Sequence, residues 1–328
     1  MTPSAPSLAR ARPRRSVARG ARERLVERLI AAVSASAIVS ILLLFVFVAR
    51  EAFPILWEQT SGPLSDLVVP RQHPGYDAPA FVWQPVGFPG KHNVVPLILG
   101  TLKVTGLSML ISVPLALLAA IHVALFSPAR VRRVVKPLIE LLAGVPSVVL
   151  GFFALTFVAD LTHDVLGTTY RLNALVAAIA LSLTIVPVVF TVSEDALRAV
   201  PRSLHEAAYS VGARQWQTVV RVVLPAAIPG IVAAVVLGFG RAIGETMIVL
   251  MASGNAAVTS LSPTSSARTL TATIAAELGE APRSGEHWRV LFTLGLILFA
   301  TTFVLDRVGQ AIVRRLRRRL DPRAEGAS

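Results

Sequence analysis

The sequence predicts an all-α polytopic membrane protein with six transmembrane helices and both termini cytoplasmic. Three observations carry that prediction. Apolar residues make up 54% of the chain, more than a soluble core of this size needs. They gather in runs near the ~20 residues that a bilayer crossing requires. Lysine and arginine concentrate in alternate connections, as the positive-inside rule demands.

The first run, about Leu29–Ala49, holds no charge. A long basic region precedes it and no A-x-A site follows, so an uncleaved anchor is expected; Arg14-Arg15 lacks the flanks of a twin-arginine signal. The second, about Val94–Phe126, exceeds one straight crossing, and Pro114 is placed to kink it. The third is expected at about Pro137–Ala159 and the fourth at about Leu172–Ser193, with Pro146 and Pro187 as kinks. The fifth is expected at about Ala226–Ala252. The sixth, about Val290–Leu305, is the shortest and can continue toward Val313.

Of the 32 Lys and Arg residues, 23 fall in the two tails and in the connections after spans two and four. That asymmetry fixes the expected orientation. The domain plan is then a basic cytoplasmic tail over 1–28 and the first span with an outer Pro- and aromatic-rich loop over 29–93. A core membrane domain comes next over 94–310, with a cytoplasmic loop at 194–225, and a basic tail over 311–328. The tails lack interleaved aromatics, so they are expected to meet anionic lipid and not nucleic acid. Trp57, Phe81, Trp83 and Phe88 are expected at headgroup level. With no cysteine in the chain, disulfides, thiolate metal sites and cysteine nucleophiles are excluded. No metal site is expected.

The cytoplasmic loop at 194–225 is the most informative stretch. Pro201–Val211 reads as a short helix, with Pro201 at its start and Ala207 and Ala208 as good helix formers. Gly212 permits a left-handed turn. Trp216–Val223 forms a second amphipathic piece ending before Pro225. This elbow presents Glu206 and small residues, which let a partner surface approach. An amphipathic loop without a partner is the alternative.

Glu206-Ala207-Ala208, Gly212 and Val222-Val223-Leu224-Pro225 carry a resemblance. Their pattern is similar to the E-A-A, three residues, G, nine residues, I-x-L-P signature of ATP-binding-cassette importer permeases, with Val222 in place of Ile. The resemblance implies a MetI-like permease fold and a loop that docks on a cassette ATPase dimer. The chain has no G-x-x-x-x-G-K-[ST]; its Gly90-Lys91 pair is followed by His92. Hence the chain is expected to be no enzyme and to hold no cofactor of its own, with ATP and magnesium on the partner ATPase.

Ionisable groups inside a span cost roughly 2.5–3.5 kcal/mol each on insertion scales, so each needs a reason. Arg241 and Glu245 stand four residues apart in the fifth span, one turn on a continuous helix. An internal ion pair, with Gly240 and Gly244 as a G-x-x-x-G packing surface, is one explanation; an anion pathway is the other. Lys103 in span two adds a second positive group, unless it snorkels to the interface. His122 and Glu140 are expected to be ordinary, the latter pairing with a loop arginine such as Arg133.

Residues 240–247, GRAIGETM, resemble the fifth span of phosphate-importer permeases of the PstC type. Glu140–Gly151 and Ile274–Ala281 resemble further stretches of that family. Thr246-Met247 departs from the sulfate and molybdate pattern, and Met247-Ile248 from that of the sister permease, the PstA type. The resemblance implies a phosphate permease with Arg241, Glu245, Thr246 and Lys103 along the substrate path. It also implies a sister permease of the PstA type, an extracytoplasmic phosphate-binding protein and alternating access in a bacterial plasma membrane. A permease for another oxyanion (sulfate, molybdate, phosphonate) is the nearest alternative. A membrane-embedded enzyme or receptor is a distant one, since the expected spans hold one histidine and no acid pair.

Overall fold

The computed structural model describes residues 21–57, 64–73, 75–87 and 89–320. Most of the N-terminal tail, Phe88 and the tail from 321 onward lie outside those residues. The chain divides into two compact units, 1–47 and 48–328. In the first, the described residues are the beginning of α1 (Ala21–Ala52), a run of Leu, Ile, Val, Phe and Ala with no Gly or Pro to break it.

In the second unit, a mostly irregular segment comes after α1. It contains an antiparallel hairpin, β1 (Trp83–Gln84) with β2 (Lys91–His92), which the all-α prediction lacked; Trp83 pairs with His92. Next comes α2 (Val95–Ile121), with Pro96 in its first turn, where no amide hydrogen is needed. A wide π-type turn, His122–Phe126, completes it.

The third span departs from its expected position. The chain instead forms an amphipathic helix, α3 (Ala129–Ala143), that stops at Gly144. The apolar helix begins only after Pro146, as α4 (Ser147–Phe153), a π-type turn Ala154–Val158 and α5 (Ala159–Leu166), which ends at Gly167 with φ +60°. The physical reason lies in the sequence: Gly144 and Pro146 divide Pro137–Ala143, the end of a charged amphipathic helix, from the apolar residues that follow. Glu140 is exposed, and among the described residues no ion pair joins it to Arg133.

The central helix is α6 (Ala174–Arg198). Its first turn is capped by Asn173, whose Oδ1 accepts from the amides of Leu175 and Val176. Then come α7 (Arg202–Ser210) and α8 (Gln215–Thr218). The latter runs through a π-type turn into α9 (Leu224–Gly244). The chain closes with α10 (Met247–Ala252), α11 (Leu270–Glu277) and α12 (Glu286–Leu320). Among the described residues, six helical stretches are long and apolar enough to cross a membrane: Glu23–Leu56, Val95–Phe126, Ser147–Leu166, Ala174–Arg198, Gln215–Gly244 and Glu286–Arg318.

Leu181, Ile185, Val189 and Phe190 of α6 are fully buried against α2 and α9. Close approach there depends on Gly238, where a Cβ would lie 2.8 Å from Val189 Cγ2. A second apolar cluster joins Trp83, Leu97, Leu270, Leu291 and Leu294. Trp83 is therefore a core residue whose indole donates to Glu277 at 3.2 Å, not a headgroup anchor. Trp57 is 70% exposed.

Candidate substrate path and partner interface

The fifth apolar helix ends at Gly244, in mid-run. Glu245 has extended backbone (φ −72°, ψ 131°), and helix resumes only at Met247. The break satisfies its own polar groups. Glu245 Oε1 accepts from Thr246 N at 3.2 Å, Thr246 Oγ1 donates to Gly244 O at 3.3 Å, and Thr271 Oγ1 donates to Glu245 O at 3.0 Å. Arg241 lies in the last turn of α9 and Glu245 is its C-terminal cap, with Glu245 N donating to Ala242 O at 3.4 Å. Among the described residues no ion pair joins the two. The Arg241 guanidinium is exposed on this chain and has no hydrogen-bonding partner there. Gly240 and Gly244 have nothing within 4 Å of where a Cβ would stand. They are no internal packing surface; Gly230, whose added Cβ would lie 2.4 Å from Ala196 Cβ, and Gly238 serve that purpose. Gly240, Arg241 and Gly244 are thus all exposed at the end of α9, beside the break.

Lys103 lies elsewhere in the network. Its Nζ donates to Ser260 O at 2.9 Å, Ser265 Oγ at 2.8 Å, Ser266 O at 3.1 Å and Ser262 O at 3.4 Å. All four acceptors belong to the connection between α10 and α11. Sequence spacing gave no sign of these contacts, which join residues about 160 positions apart.

At the other end of the core, α7 presents Glu206 and Ala207 exposed and Ala208 buried. Gly212 has φ +82°, the left-handed turn expected of it. Ala213 N donates to Ala208 O at 3.1 Å, closing the end of α7. Gln215 Nε2 donates to Leu125 O at 3.1 Å and fixes the elbow to the end of the second span. Leu204, Tyr209, Val211 and Trp216 stand exposed around it, Val211 by 83%.

Sequence reasoning missed the tie beside this elbow. Lys136 of α3 donates to Glu194 Oε2 and Asp195 Oδ1, each at 2.8 Å, and Arg198 lies 3.6 Å from Glu194 Oε1. Glu194 is completely buried. Burial opposes the charge of Lys136, but its hydrogen bonds to Asp195 and Glu194 outweigh that and hold its pKa above the usual 10.5. The available signal was the 3–4 spacing of charges in α3, which marks an amphipathic helix.

Six helices long and apolar enough to cross a membrane, joined through an exposed two-helix elbow, describe a multi-pass membrane protein. Residues 112–318 match the family of binding-protein-dependent transport system inner membrane components, and the chain belongs to that family. It is similar to a probable ABC transporter permease, YqgH, of Bacillus subtilis (strain 168). The two are 39% identical over 226 residues, covering 68% of this chain and 72% of that one. It is also similar to the phosphate transport system permease protein PstC 1 of Mycobacterium tuberculosis (strain ATCC 25618 / H37Rv), 35% identical over 270 residues, 75% and 78% of the two chains. The fold is shared with the inward-facing MetNI methionine ABC transporter, at TM-score 0.54, 23% identity and coverage of 68% and 95%. The expected MetI-like permease architecture is therefore present.

Proposed function

We propose that this chain is the permease subunit that carries inorganic phosphate into the cell in an ATP-driven importer of a bacterial plasma membrane, with both termini cytoplasmic. The observation that carries the reading is Arg241: a bare guanidinium at a broken apolar span, within a GRAIGETM stretch, in a chain 35% identical to a phosphate transport permease. An unpaired charge at that depth is costly and calls for an anionic visitor. Arginine offers a planar donor fork that matches phosphate oxygens. Glu245 and Thr246 border the same path. A carboxylate beside an anion is repulsive unless the anion carries a proton. Phosphate does at neutral pH and sulfate does not, so Glu245 accepts that proton in a hydrogen bond.

The elbow at Glu206, Ala207, Ala208 and Gly212 docks on a cassette ATPase dimer, which binds ATP and magnesium; this chain hydrolyses nothing. The exposed end of α9 faces a sister permease of the PstA type, and the path runs between them. A phosphate-binding protein delivers cargo at the opposite end, with lipid around the spans.

The test is uptake of radiolabelled phosphate by proteoliposomes holding all four components. ATP-dependent accumulation is expected, with little inhibition by sulfate. Glu245→Gln should weaken phosphate uptake and let sulfate compete about tenfold better, the loss of roughly one charge-assisted hydrogen bond. Unchanged discrimination removes the proton-acceptor role; absence of any phosphate uptake removes the substrate.

A further inference from the structure

We infer that Lys103 is a positioning residue: its ammonium organises the connection 253–269 and, through it, fixes the Glu245–Thr246 break, without touching the anion. The inference rests on the phosphate-permease reading and sharpens it. An ammonium has three hydrogens to give. Four oxygens of one connection surround Nζ: three carbonyls, of Ser260, Ser262 and Ser266, and the Ser265 hydroxyl. Every donor is used, and the charge is met by the dipoles of the connection itself. A phosphate could reach Nζ only by displacing that backbone.

The same turns of α2 grip the connection twice more. Gly100 meets its backbone so closely that a Cβ there would lie 2.2 Å from Arg268 O. Thr101 Oγ1 accepts from Leu270 N at 3.0 Å. The connection is also closed at its neck. Ser253 Oγ donates to Ala267 O at 2.7 Å, Ser266 Oγ donates to Ser253 O at 2.9 Å, and Ala267 N donates to the same carbonyl at 3.0 Å. From there the chain enters α11, and Thr271 holds the carbonyl of Glu245. The segment from Glu245 through α10, the neck and α11 back to Glu245 is a closed hydrogen-bonded circuit. Lys103 fills the lobe of that circuit. Loss of its charge leaves three carbonyls and a hydroxyl to seek water, and the circuit loosens at the point that frames the substrate path.

The test uses the complete importer in proteoliposomes, with Lys103→Met. Two readouts are taken: phosphate uptake against the concentration of loaded binding protein, and backbone hydrogen exchange over residues 254–268. Maximal uptake is expected to fall about tenfold while the half-saturating concentration moves less than about twofold, and exchange over the connection to quicken at least ~10-fold. Ser265→Ala removes one acceptor and keeps the lysine charge. It should shift both readouts the same way by about threefold, and it decides the matter if Lys103→Met does not assemble. A raised half-saturating concentration with maximal uptake preserved would make Lys103 a ligand and overturn the inference. Unchanged exchange overturns it as well. The exchange arm stands whatever the cargo, so failure of the phosphate reading and failure of this inference remain distinguishable.

Discussion

Two groups of charge near the ends of the long helices are treated in opposite ways. Where α3 meets α6, Lys136, Glu194 and Asp195 are closed on one another, and Glu194 is shut away from solvent entirely. At the break after α9, Arg241 stands open on this chain, and Glu245 spends one oxygen on its neighbour's amide. A buried, paired charge is a tie: removing one partner strands the other at high cost. An unpaired charge in an apolar span contributes nothing to the fold and burdens insertion, so its reason lies in what arrives there. On the proposed function, the contrast separates residues that hold the subunit together from those that meet cargo.

The sharpest way to break the contrast is at the tie. Lys136→Met strands the buried Glu194 carboxylate, with Arg198 still within 3.6 Å. The expected loss of unfolding stability is about 3 kcal/mol, read from denaturant or thermal melts of the purified subunit complex. Adding Glu194→Gln should recover most of it, because both charges are then gone. Next in size is Arg241→Met. Uptake should fall about 100-fold, the scale of a lost charged donor to a bound anion, while melting stays near wild type. A large drop in melting with Arg241→Met would place it among the ties and undo the distinction.

A smaller effect probes the elbow. Gly212 sits at φ +82° with nothing within 4 Å of an added Cβ. Gly212→Ala therefore meets no clash and feels only the left-handed backbone, at about 1 kcal/mol. Part of that should appear as weaker ATPase-subunit retention in pull-downs. Full retention with unchanged stability would mean the elbow re-forms without that turn.

The legible parts of this chain were those set by local chemistry. Apolar runs located five of the six long helices, though the fifth begins at Gln215 and stops at Gly244, short of the expected Ala252, and the sixth, expected to be the shortest, runs for 33 residues; the glycine at 212 had one evident purpose. The third span was misplaced because hydrophobicity alone joined Pro137–Ala143 to the apolar residues from Ser147 onward; Gly144 and Pro146 in fact divide a charged amphipathic helix from an apolar one. Nothing in GRAIGET announces that the helix stops at Gly244. The partners of Lys103 and Lys136 could not be read from spacing, since they lie about 160 and 58 positions away; for Lys136 the charge spacing of α3 marked only an amphipathic helix. Contacts of that kind are made by packing, which a single sequence encodes without displaying.

The smallest expected effect turns on pH, and it separates the ties at the two ends. Around the hairpin, His92 is buried beside His287, 5.5 Å between ring centroids, with Glu286 and Glu277 near. Burial pushes the His92 imidazole below its usual 6.5, Glu286 opposing and His287 adding to the fall. Burial likewise opposes ionisation of Glu277, yet hydrogen bonds from His287 and Trp83 and the Arg268 charge outweigh it and hold the carboxyl below its usual 4.5. For His92, the unfolded chain takes up its proton first, so stability declines as pH drops through 6.5 and levels off below the folded value. The Glu277 contribution is whole above 4.5 and is lost as pH falls through its lowered value. Lys136 runs the other way: its contribution is whole below 10.5 and is lost as pH rises through its raised value. Acid should therefore loosen the hairpin end first and alkali the α3–α6 end, by exchange rates measured separately over residues 83–93 and 130–143. His92→Gln should flatten the acid response near pH 6.5 without touching the alkaline one. Loosening of residues 130–143 together with the hairpin as pH falls through 6.5, before the carboxylates of the α3–α6 tie take up protons, or of the hairpin in alkali, would mean the two ties form a single cooperative unit.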